Sequence, residues 1–114
     1  MATAEIRRHW TRVAALRCII SDQPATLHHA KGGSMLTELG LLHGMKKKPS
    51  DWLVIPLAEV YHTGYLGIEH GVRSWERRFG TQVAHLDQIC LRLGYDVWER
   101  AGIERRIVPF FYTV

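Results

Sequence analysis

The sequence predicts an α+β fold, a small helical domain around a hairpin–helix core, in one domain of 114 residues. Three patterns point there. Apolar residues recur at helical spacing near both ends, as Ile6, Trp10, Val13 and Leu16 and again as Val83, Leu86, Ile89 and Leu93. Two short β-compatible runs, 17–20 and 25–30, flank the polar turn Ser21-Asp22-Gln23-Pro24. A third apolar run, 51–57, precedes a short stretch of helical pattern.

The elements follow in order. Residues 4–16 form the first helix, with Arg7, Arg8 and Arg12 off its apolar stripe. The hairpin–helix core spans 17–64. Within it Lys31-Gly32-Gly33-Ser34 breaks the second strand, and 35–42 reads as a short helix capped by Ser34. Residues 44–50, which include Lys46, Lys47, Lys48 and Pro49, read as an exposed loop. Pro56 is expected in the first turn of a helix that carries Glu59 and His62 and stops at Thr63-Gly64. A loop punctuated by Gly64, Gly67 and Gly71 opens the C-terminal helical part, 71–101. There one helix covers 72–79 and ends at Gly80, and another covers 81–93 with Thr81 as cap and Gly94 as stop. A further helical turn lies around 96–101, and the tail, 102–114, turns from basic to apolar and aromatic.

Composition narrows the function classes. The apolar share of 46% and charged share of 23% suit a folded domain. Only two cysteines, Cys18 and Cys90, are present, too few for a disulfide scaffold or a four-thiolate zinc module. No apolar run is long enough for a transmembrane helix, and no apolar leader opens the chain, so a reducing, cytoplasmic location is expected. The net charge of +4 suits a polyanionic partner.

Seven histidines occur, and their placement matters more than their number. His28 and His29 end the second expected strand, immediately before a glycine-rich break, and His62 sits on the helix after Pro56. A hairpin and helix bearing histidines in this way is the layout of a ββα-metal nuclease site. Phosphodiester hydrolysis needs a neutral imidazole to accept a proton from water, and a divalent cation to offset charge on the phosphate. The competing reading of His62 is a helix-end histidine bonded to a backbone carbonyl. His9, His43 and His85 are expected on helix surfaces, whereas Trp10, Trp52, Trp75 and Cys90 are expected in the core.

Five segments carry a more specific likeness. They are Cys18-Ile19-Ile20-Ser21, Leu27-His28-His29-Ala30, the run 51–57, Tyr61-His62-Thr63-Gly64-Tyr65-Leu66-Gly67-Ile68, and Trp75-Glu76-Arg77-Arg78-Phe79-Gly80-Thr81. In order and spacing, over about 5–95, they resemble the phage Ref family of recombination-enhancement, RecA-dependent HNH-type endonucleases. The resemblance implies an HNH-type fold and a phage-encoded, metal-dependent DNA endonuclease linked to recombination, which would make the cytoplasm that of a bacterial host cell. It makes His29 the general base, His28 and His62 metal ligands, and His70 a further candidate ligand. It places Asp51 near the polar residue that orients the base. The ion would be Mg2+, Mn2+ or Zn2+. The partners implied are single-stranded or displacement-loop DNA and a RecA filament, with no membrane. Lys46, Lys47, Lys48, Arg73 and Arg77 are candidate DNA contacts, the alternatives being a solvated loop and salt bridges to Glu76 and Glu69. The chain departs from the family at Ser21 and Ala58, where cysteines are common, so no cysteine-based structural zinc is expected. It also has Glu69 where the family has a downstream histidine, with His70 one position later. The alternative function is a catalytically decayed HNH-like scaffold that binds DNA or a host protein.

Overall fold

The computed structural model describes residues 2–40 and 49–105. The protein is an α+β fold; among the described residues six helices and a 3-10 turn accompany a two-stranded antiparallel sheet. Helix α1 (Ala4–Ala15) starts where the Thr3 hydroxyl accepts the Ile6 amide, with Glu5 in its first turn and Arg12 in its last. Its buried stripe is Ile6, His9 and Val13. His9 is therefore a core residue, correcting the expected surface placement. Its Nε2–H donates to the Trp52 carbonyl at 3.0 Å, and its Nδ1 accepts the Tyr95 hydroxyl at 2.7 Å, so a neutral ring is fully satisfied.

Strand β1 (Thr26–His29) pairs with β2 (Val54–Leu57), His28 opposite Ile55 and His29 opposite Val54. The expected pairing of 17–20 with 25–30 is not formed. Arg17 and Asp22 both adopt left-handed backbone conformations, which fold 17–22 into a turn closed by Asp22 N–H to Cys18 O. The true partner of β1 comes from beyond the connection between Ala30 and Leu53. Pro56 lies inside β2 rather than opening a helix. Its carbonyl points away from β1 and accepts the Ile19 amide, so its missing N–H removes no bond between the strands.

Helix α2 (Gly33–Thr37) begins earlier than expected, and Ser34 lies within it rather than capping it. The Ser34 amide and hydroxyl both donate to Glu76, whose carboxylate also accepts the Gln82 amide. One carboxylate thus ties the starts of two helices together. A Cβ on Gly33, which has φ +47°, would collide with that carboxylate. Helix α3 (Glu59–His62) follows β2 directly, and the 3-10 turn Ile68–His70 leads into α4 (Val72–Phe79). Helix α5 (Gln82–Leu93) is capped by the Thr81 hydroxyl and stopped by left-handed Gly94, and α6 (Val97–Arg100) is capped by Asp96.

The core gathers β2, Met35, Ile68, Trp75 and the buried faces of α5 and α6. Cys90 is buried there, and burial pushes its thiol pKa up to about 11. Trp10 and Trp52, expected in the core, are instead half-buried outside it, Trp10 against Asp51 and His29 and Trp52 against His9. His85, a second expected surface histidine, is half-buried and donates Nε2–H to the Phe79 carbonyl at 2.7 Å. His43 and Lys46, Lys47 and Lys48 lie outside the described residues, as does most of the expected tail. Among the described residues no helix is long and apolar enough to cross a membrane.

Candidate metal centre

Successive side chains on a strand point to opposite faces, so the adjacent pair on β1 is split. His28 and Thr26 share one face, the buried His28 reaching α5 and the exposed Thr26 reaching α3, and His29 lies on the other. The His28 side chain is 1% exposed. Its Nε2 lies 3.0 Å from Gln82 Oε1 and its Nδ1 lies 3.1 Å from Glu69 Oε1. Gln82 is itself held fast. Its Nε2 donates to the Lys31 carbonyl at 3.0 Å, and its Oε1 accepts the Lys31 amide at 3.1 Å. This network assigns the amide oxygen to His28, so His28 carries its proton on Nε2 and presents a lone pair from Nδ1.

For His62, Thr26 Oγ1 lies 3.2 Å from the Leu57 carbonyl and 2.8 Å from His62 Nδ1. With the hydroxyl proton on the carbonyl side, the Thr26 oxygen accepts from His62 Nδ1–H. His62 Nε2 then presents a lone pair toward Glu69 Oε1, 3.5 Å away. The two rings meet edge to face with centroids 5.3 Å apart. One ligand atom from each of His28, His62 and Glu69 lies within 4.8 Å of the others. With these tautomers two imidazole lone pairs and a carboxylate oxygen converge, a donor set of the kind that outer-sphere hydrogen bonds orient around a metal ion. Ligand bonds of ~2.1 Å around a tetrahedral ion put neighbouring ligand atoms about 3.4 Å apart, close to the contacts Glu69 makes. Burial pushes the His28 pKa down, against the Gln82 bond and the Glu69 charge, and so favours the neutral ring that a ligand must be.

Gly67 brings the two halves of the cluster together. Its backbone packs so close to the His62 carbonyl that a Cβ would clash with it, and it stands immediately before the 3-10 turn that carries Glu69.

On the outer face, His29 Nε2 donates to Asp51 Oδ1 at 2.9 Å, leaving Nδ1 as the accepting nitrogen. Trp10 stands edge-on to the His29 ring, centroids 5.9 Å apart, and donates its Nε1–H to the Asp51 carbonyl at 2.9 Å. A partly exposed imidazole with a carboxylate behind one nitrogen is equipped to take a proton at the other.

The structure thus brings His28 and His62 together and sets His29 against Asp51. It does not bring His70 to the cluster: the His70 Nε2 donates to the Thr63 carbonyl at 3.1 Å, and Glu69 occupies the third position instead. Arg73 and Arg77 are exposed beside Gly33 and Thr37 on a separate surface cleft, and Glu76 pairs with Ser34 and Gln82 rather than with them. Thr26, Gln82 and Gly67 went unread as site residues, because each acts through a tertiary contact that no local motif marks. Cys18 is buried, and burial opposes its ionisation. The Ser21 hydroxyl and the Ala58, Ile20 and Ser21 amides nevertheless hold its pKa below the usual thiol value. Comparison of the chain with protein families, with curated proteins and with solved structures finds no match.

Proposed function

We propose that this chain is a metal-dependent DNA endonuclease of the HNH type, with β1, β2 and α3 as its ββα-metal core. The observation that carries the reading is the convergence of one ligand atom each from His28, His62 and Glu69 within 4.8 Å, with Gln82 and Thr26 bonded to the far ring nitrogens. His28, His62 and Glu69 would hold one divalent ion, Mg2+, Mn2+ or Zn2+. When bound, such an ion offsets the charge that develops on a scissile phosphate. His29 Nδ1 accepts the proton of the attacking water, and Asp51 keeps the ring oriented and stabilises the imidazolium that results. DNA as substrate, single-stranded or in a displacement loop, and a RecA filament as partner come from the family resemblance and are proposed with it.

Cleavage of labelled single-stranded and displacement-loop DNA, with and without RecA filament and with each ion, tests the reading. The parent should cut, and His29→Ala should lose ~10²–10⁴-fold in rate while still binding the ion. A parent that cuts neither substrate under any of these conditions rejects the proposal and leaves the decayed binding scaffold in its place.

A further inference from the structure

The segment that joins His62 to Glu69 has a second side, which lines a cleft of about 190 Å³ with the start of α4. Its relevant walls are Tyr65, His70, Gly71, Ser74, Trp75 and Arg78, and no carboxylate lines it. Three features of this cleft suit a ligand. Tyr65 is 84% exposed, the most exposed of the large hydrophobic side chains among the described residues. Helix α4 starts at Gly71 with no side-chain cap, so its first-turn amides are open to an anion. Arg78 rests over the Phe79 ring, 5.3 Å from its centroid, and has no carboxylate partner among the described residues.

We infer that this cleft is a nucleotide subsite for a single strand of nucleic acid. The base lies against Tyr65, and the adjoining phosphate is held by Arg78 and the α4 amides. An aromatic face beside an unpaired guanidinium is how proteins grip single strands irrespective of sequence. The uncapped helix start adds a place for phosphate oxygens. Because the lining segment also carries His62 and Glu69, a strand seated here leads to the candidate metal centre. The inference rests on the nuclease reading for its substrate, and it names residues distinct from those of the catalytic site.

The test is fluorescence anisotropy of a labelled single-stranded oligonucleotide with the full chain in chelator, so that no cleavage intrudes. Tyr65→Ala and Arg78→Gln change exposed side chains, and their melting temperatures verify folding. Each should weaken binding at least about fivefold. Arg78→Gln should also flatten the salt dependence, since one phosphate contact is lost, by about 0.7 in the logarithmic slope. Arg8→Gln removes the same charge from the exposed face of α1 and should cost less than about twofold. Binding by Tyr65→Ala and Arg78→Gln as tight as the parent's overturns the inference, as does an equal loss in Arg8→Gln. Inorganic phosphate at constant ionic strength separates a bare anion pocket from a nucleotide site. Full displacement of the oligonucleotide by phosphate, with Tyr65→Ala unaffected, also overturns it. A parent that binds through Tyr65 and Arg78 yet never cuts DNA supports the subsite while removing the nuclease reading.

Discussion

The two faces of β1 solve different problems with neighbouring residues of the same type. On the inner face His28 is buried, and both its ring nitrogens are engaged by side chains from two other elements, Gln82 at the start of α5 and Glu69 in the 3-10 turn. On the outer face His29 is partly exposed, and only its Nε2 is engaged, by Asp51. The inner histidine is held at both ring nitrogens, which suits the proposed ion ligand. The outer one has no partner at Nδ1 among the described residues, which suits the proposed base. Strand alternation alone produces the division, so a one-residue slip of β1 would exchange the two roles.

Substitutions behind each histidine should break the two faces in different ways. The largest effect is expected at Gln82→Ala. It orphans His28 Nε2–H and the Lys31 amide in the interior, for a loss of about 2–3 kcal/mol of stability and ~10–100-fold in divalent-ion affinity. Chemical denaturation and calorimetric ion titration read the two losses. Asp51→Asn, on the exposed side, should leave the denaturation midpoint and ion affinity nearly unchanged while slowing cleavage. Equal destabilisation by both would erase the distinction between the faces.

Acid should come next. Burial pushes His9 and His85 below their usual pKa, with the Arg100 and Arg12 charges adding to the effect at His9. The unfolded chain takes up protons on these residues near pH 6.5 and the folded chain only at lower pH. Stability is therefore complete above about pH 6.5 and falls as the pH drops toward the folded-state values. In chelator, the melting temperature should be lower at pH 5.5 than at pH 7.5, and His85→Gln should narrow the gap. A melting temperature equal at both values would contradict the buried neutral assignment.

Thr26→Val should have a smaller effect, since the hydroxyl only sets the His62 tautomer. Ion affinity should fall by about tenfold with little change in stability. The mildest test concerns Cys90, whose buried thiol should resist a water-soluble thiol reagent until the protein is unfolded.

How much of this was legible in the sequence depended on whether the deciding contact was local. Helices α4 and α5 were readable to within a residue because their limits lie in neighbouring positions: Gly80, the Thr81 hydroxyl and left-handed Gly94. The β1–β2 pairing was not, because the partner strand arrives from beyond Leu53, while 17–20 looked as suitable and is closed off by its own turn. Pro56 misled through a sound local rule. A proline three residues before a helix resembles one inside its first turn, and only the Ile19 contact reveals that it sits on the outer edge of the strand. At the site, the histidine pair and His62 could be singled out by type and spacing. The third converging group could not, because a 3-10 turn aims Glu69 inward and ties His70 to the Thr63 carbonyl. Gln82 reads in sequence as an ordinary polar residue next to a helix cap, and its burial is purely tertiary.

The central claim is that two imidazoles of fixed tautomer and one carboxylate await a divalent ion. Long-range ¹H–¹⁵N NMR of the histidine side chains during zinc titration tests it directly. Before zinc, His28 should carry its proton on Nε2 and His62 on Nδ1. One equivalent should then move the His28 Nδ1 and His62 Nε2 resonances together, leaving His9, His70 and His85 in place. Opposite tautomers, or a response at His70 without one at His28 and His62, would contradict the account.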